Sequence, residues 1–184
     1  MSARFVALLR GVNVGKTKRV PMADLRALLE SLGHTDVKTL LNSGNAVFAA
    51  PRGAAPKLAA AIGAAIEKRF GFEVPVIVKS AADLDAMAAE NTLAAKAADF
   101  SRLLTVFAQD PADLASLEVL RPMLAANEAL LLGKHAAWLH CANGILESAA
   151  GEAVLGKVGR SGRGFTTRNW ATVEKIRALM RSAG

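Results

Sequence analysis

Apolar residues recur along this chain with two different periods. The run FVALLRGV (5–12) places apolar side chains at consecutive positions. That leaves no solvent-facing set and predicts a strand buried on both faces. VPMADLRALLESLG then changes period: Met22, Leu25, Leu28, Leu29 and Leu32 recur at helical spacing. Pro21 suits the first position of that helix, Asp24 falls in its first turn, and Gly33 ends it. VKTLL and NAVFAA read as two short strands around a tight turn at Ser43-Gly44. A second helix, PKLAAAIGAAIEKRFG, spaces Leu58, Ile62, Ile66 and Phe70 four apart, and VPVIVKS (74–80) is a further strand. The order β-α-β-β-α-β is a split β-α-β, or ferredoxin-like, unit that closes near residue 80.

Beyond residue 80 the order partly repeats. ADLDAMAAENTLAAKA predicts a helix, RLLTVFAQ (102–109) a strand, and PADLASLEVLRPML a helix into whose last turn Pro122 cuts. EALLLGKHAAWLHCA predicts a hairpin around Gly133-Lys134, followed by two helical stretches. This is β-α-β-β-α without an evident fourth strand, so residues 81–184 form a second α+β subdomain read as α-βαββ-αα, with residues 1–80 as the first. The fold class is α+β, two ferredoxin-like subdomains packed together. GKVGRSGRGF (156–165) reads as a mobile surface connection, and the last helix opens at Phe165-Thr166-Thr167-Arg168-Asn169-Trp170 with a threonine as its cap.

Composition narrows the class. With 184 residues, 52% of them hydrophobic and 21% charged, the chain suits a soluble globular protein. Its longest apolar stretch, LAAAIGAAI, is about half of what a membrane span needs, and the start lacks a signal-peptide pattern. A single cysteine, Cys141, excludes an internal disulfide; a cytoplasmic protein that does not enter membranes is the expectation. Charge is uneven: within the net +7, residues 1–26 carry +5, residues 157–184 carry +6 and the middle −4. Two basic ends suggest an anionic partner if they meet in space, and a solubilising surface if they do not.

RGVNVGKT (10–17) resembles a phosphate loop at first sight, but fails as one. Gly15-Lys16-Thr17 is present, yet Arg10 stands where the Walker pattern needs its first glycine. Pro21 also delays the helix that should start at the lysine. What remains is a loop in which Asn13 and Gly15 can take positive φ between Arg10 and Lys16, a form able to offer amides and cations to an anion. The plainer alternative is a strand-to-helix connection. Asn42, Ser43 and Asn45 crowd one turn; any of them lying within a strand needs a buried partner. Thr167, Arg168 and Asn169 are read into the first turn of the last helix, where an arginine opposes the helix dipole and calls for an acidic or ligand partner. Trp170 belongs to that helix's apolar face with Val173, Ile176 and Met180. His34, His135, His140 and Cys141 lack metal-ligand spacing, and no cofactor is implied. The chain has no tyrosine, and its first strand is apolar on both faces, which argues against a base-stacking sheet.

LLRGVNVGK, VPMADLRALLESLG, VKTLLNSGNAVF and TTRNWATVEKI, in this order and at similar spacing, resemble the bacterial domain-of-unknown-function 1697 family over nearly the whole chain. Members typically read R-G-I-N-V-G-G where this chain has Arg10 to Lys16, so Lys16-Thr17 looks like a local substitution. Members tend to have G-I-G-R-S-K-L where this chain has Gly144-Ile145-Leu146-Glu147-Ser148-Ala149-Ala150. The resemblance implies two ferredoxin-like subdomains and supplies no activity.

Three functions follow as expectations. The first is a binding module for an anionic small molecule, a nucleotide or a nucleic acid, built from Arg10, Asn13, Gly15, Lys16, Asn42, Ser43, Asn45, Thr167, Arg168 and Asn169. The second is an enzyme with Arg10 and Arg168 clamping a small anionic substrate, for which no base or nucleophile is evident. The third is a non-catalytic scaffold.

Overall fold

The computed structural model describes residues 2–51, 53–161 and 164–182. The chain is α+β and forms two compact units, Met1–Ala82 with Ile176–Gly184, and Asp83–Lys175.

In the first unit, β1 (Ser2–Leu9), β2 (Thr35–Leu40), β3 (Asn45–Pro51) and β4 (Val76–Ser80) form one antiparallel sheet in the order β2-β3-β1-β4. β1 is central, paired with β3 from Ser2↔Pro51 to Leu8↔Asn45 and with β4 from Phe5↔Ser80 to Leu9↔Val76. Both edges of β1 are paired, and from Phe5 to Leu9 both of its faces are covered. Phe5, Ala7 and Leu9 are buried on one side of β1 and Val6 and Leu8 on the other, as its unbroken apolar run predicts. α1 (Met22–Ser31) and α2 (Ala55–Phe70) bury Leu25, Leu28, Leu29, Ala59, Ile62 and Ile66 against Phe5, Phe48 and Val78. Each fully buried Leu or Ile contributes about 1.5–3 kcal/mol. Gly71, at φ +79°, ends α2 in the left-handed conformation that glycine adopts without strain.

The second unit opens with α3 (Ala81–Glu90), which stops well short of the span the alanines suggest. β5 (Leu103–Ala108), β6 (Ala129–Leu132), β7 (Ala137–His140) and β8 (Phe165–Asn169) pair in the order β6-β7-β5-β8, the same connectivity as the first sheet. The crossovers differ from the expected helices. Pro111–Met123 is a series of 3₁₀ turns opened by Asp110, whose carboxylate accepts from Ala112 N–H at 2.9 Å. Between β7 and β8 run a 3₁₀ turn, Ile145–Glu147, and α4 (Ala149–Leu155).

Residues 165–169 correct the sequence reading. They are a fourth strand, paired with β5 from Leu104↔Asn169 to Ala108↔Phe165, and the last helix, α5 (Trp170–Ser182), begins only at Trp170. The sheet is therefore complete. β-branched Thr166 and Thr167 suit an extended backbone, whose hydrogen bonds β5 supplies. Within the loop expected at 156–165, Gly162 and Arg163 lie outside the described residues.

Candidate functional site

The candidate side chains of the first unit gather where β1 ends and β3 begins. Leu9 N–H donates to Gly44 O at 2.8 Å and Arg10 N–H to Pro75 O at 3.0 Å, fixing the chain as it leaves the sheet. The loop then closes on itself through Asn13. Its backbone N–H donates to Lys18 O at 3.1 Å, and its Oδ1 accepts from Val20 N–H at 3.0 Å. Its Nδ2 donates to Val20 O at 2.8 Å and to Asn42 O at 2.7 Å, so both amide hydrogens are used. Asn13 sits at φ +57°, a conformation that asparagine tolerates better than other side chains of its size.

The turn 41–44 is pressed onto this loop. A Cβ on Gly44, at φ +84°, would stand 2.6 Å from Leu9 Cβ and 2.9 Å from Val12 Cγ2, so only glycine fits. Asn45 lies inside β3, fully buried, and its Nδ2 donates to Leu40 O at 2.8 Å and to Ser43 Oγ at 3.0 Å. The buried partner that an asparagine in a strand requires is thus provided by the turn itself. Asn13, Ser43, Gly44 and Asn45 spend their polar groups or their smallness on holding two loops together.

Gly15, Lys16, Thr17, Lys18 and Arg19 are the exposed part of the rigid surface so made. Lys18, at φ +51°, is held by its own carbonyl and by Nζ, which donates to Glu73 O at 3.0 Å. Residues 10–20 include four cations and no carboxylate. Asp24 in the first turn of α1 faces Arg69 at 3.6 Å. A shallow depression of about 270 Å³ is lined by Asn13, Arg19, Val20, Pro21 and Asn42. Arg19 is missing from the residues singled out in the sequence. The signal was its place in the basic run Lys16–Arg19; that it lines one depression with Asn42 emerges only from the folded loop. α1 starts at Met22, six residues past Lys16, so no helix end cradles a phosphate at the Gly-Lys-Thr step.

Thr167, Arg168 and Asn169 belong to the second unit, on β8. Arg168 does not stand in a helix's first turn, so the opposed dipole inferred for it does not exist. It is 8% exposed and donates through Nη1 to Thr166 Oγ1 at 3.0 Å and to Thr167 O at 2.7 Å. Burial pushes its guanidinium down to about 10, which leaves it charged at neutral pH. The cap of α5 is Asn169 rather than a threonine: its Oδ1 accepts from Thr172 N–H at 2.9 Å.

The remaining titratable candidates have local occupations. His34 stacks on Phe48 at 4.6 Å, and burial lowers its pKa. His135 Nδ1 lies 2.6 Å from Glu90 Oε1, while Glu90 Oε2 accepts from Lys134 and His135 N–H. Cys141 is buried, which pushes its thiol up despite a hydrogen bond with Ser148. Among the described residues no three His, Cys, Asp or Glu side chains are grouped as metal ligands, and no helix is long and apolar enough to cross a membrane.

The sequence pattern of a family described as protein of unknown function (DUF1697) matches residues 2–138. A solved structure, that of the conserved bacterial protein SP0830 from Streptococcus pneumoniae, is similar with a TM-score of 0.76 and 26% identity, covering 98% of this chain and 99% of that one. Among curated proteins none matches.

Proposed function

We propose, from the premise that this chain belongs to the DUF1697 family, that the basic end of its first unit binds a phosphate-bearing anion. One observation carries the reading: Lys16 and Arg19 are exposed on a loop with no carboxylate between residues 10 and 20, and Asn13 locks that loop before any ligand arrives. Preorganisation matters because a flexible lysine loop would lose ordering entropy on binding, whereas this one has already lost it. The backbone N–H groups of Gly15, Lys16 and Thr17 make no hydrogen bond among the described residues, so they can turn to an oxyanion. The lining of the depression holds no carboxylate, imidazole or thiol that could move a proton, so the reading is binding and not catalysis.

The role assigned to Thr167, Arg168 and Asn169 narrows accordingly. Thr166 and Thr167 already receive the Arg168 guanidinium and Asn169 caps a helix, so the proposed contacts are those of the first unit. Titration with pyrophosphate, followed by NMR at the loop amides, tests this. Shifts confined to residues 10–20 and 41–44 are expected. Charge-assisted bonds contribute about 1.5–3 kcal/mol, so Lys16→Ala with Arg19→Ala should weaken binding about tenfold or more. Equal binding by wild type and double variant would remove the site.

A further inference from the structure

Resting on the anion reading above, we propose that the loop Arg10–Arg19 takes the phosphodiester backbone of a nucleic acid and leaves the bases outside. The depression offers little to hold a nucleoside. At about 270 Å³ it is small and shallow beside pockets that enclose most of a ligand. Its walls are Asn13, Arg19, Val20, Pro21 and Asn42, with no aromatic ring on which a base could stack. A phosphate group fits there, and a nucleoside attached to it stays in solvent.

Positive charge continues beyond the depression. Lys16 and Lys18 are exposed on the same loop, and Lys18 keeps its charge outside while Nζ touches Glu73 O. A nucleoside monophosphate has one phosphate and leaves these outer cations unmatched; a chain of phosphates matches them. The sheet offers no competing mode of recognition, since β1 is buried on both faces and cannot present stacking aromatics. Contacts to phosphate from lysine, arginine and backbone N–H position a nucleic acid without reading its sequence. The binding should therefore be indifferent to base.

The test uses the full chain and a labelled oligo(dT) of about twenty nucleotides, with fluorescence anisotropy from about 25 to 200 mM KCl. Three exposed cations predict a slope of log K against log salt near −2, and Lys16→Ala with Arg19→Ala should flatten it by about 1.4. Both side chains are exposed, so an unchanged melting temperature verifies that the variant folds. Pyrophosphate shifting the loop amides while oligo(dT) fails to bind would overturn the nucleic-acid inference and leave the anion reading standing. Silence from both ligands would overturn both. A slope unaltered by the double substitution places the contacts elsewhere and also overturns it. So does binding to phosphatidylserine vesicles without binding to oligo(dT), an arm worth running because Val14 is 72% exposed beside these cations.

Discussion

Asn13 shows how one side chain can convert a glycine-rich connection into a surface. It makes three side-chain bonds and holds a left-handed backbone that alanine resists. At about 1 kcal/mol per bond, plus 1–2 kcal/mol for the backbone, Asn13→Ala should lose about 4–5 kcal/mol of stability by urea denaturation. A loss below about 0.5 kcal/mol would mean that the loop is held by something else. Thr105 is the opposite case. It lies fully buried on β5, opposite Trp138 on β7 and Arg168 on β8, and its Oγ1 has no hydrogen-bond partner among the described residues. An unsatisfied buried hydroxyl costs about 1–3 kcal/mol, so Thr105→Val should raise the melting temperature. A fall would show that the hydroxyl has an ordered water.

Two contacts tie secondary structure elements into the second unit. Glu90, the last residue of α3, receives Lys134 and His135 N–H and the His135 ring, and so closes the β6–β7 turn. Gly133 makes room for it, since a Cβ there would meet Glu90 Oε2 and, at 2.7 Å, Trp138 Cζ3. Desolvation alone would raise the Glu90 carboxyl, but the His135 and Lys134 bonds outweigh it and the pKa is lowered from 4.5. A lowered carboxyl contributes stability that is fully present above the unfolded value and is lost as pH falls through the folded one. Wild type should thus lose stability on acidification below about pH 4.5 more steeply than Glu90→Gln in paired melting curves. Asn169 joins β8 to α5 without a loop, ending the strand and capping the helix at once. Asn169→Ala should cost about 1 kcal/mol, whereas Asn169→Asp should retain most of it. Equal losses from the two would refute the cap.

For the molecule as a whole, the single cysteine is a built-in reporter of opening in the second unit. Cys141 is fully buried and its thiol is pushed up, so neither access nor thiolate favours reaction. Native protein should react with a thiol reagent about a hundredfold or more slower than free cysteine, and reach full speed through the urea transition. Fast labelling in the native state would show that this unit opens locally at low cost.

The first unit was legible from periodicity because its helices are long and its central strand is apolar without a break from Phe5 to Leu9. A buried strand flanked by helices with four-residue stripes has few other ways to hide its side chains. The fourth strand of the second unit was not legible. FTTRN is five residues long, four of them polar, and runs straight into Trp170 with no breaker. Locally it reads as a helix start, and only its pairing with β5 makes it extended. The same contrast holds at the candidate surface. The residue types of the loop, and its lack of carboxylates, follow from the sequence. That Asn13 reaches Val20 and Asn42, that Gly44 packs on Leu9, and that Arg168 is buried do not, because each depends on groups brought together from distant parts of the chain. Local propensity and pattern act over a few residues, so they determined the elements of the first unit; hydrogen bonds and steric contacts between distant segments made β8 a strand and decided which polar groups stay exposed to solvent.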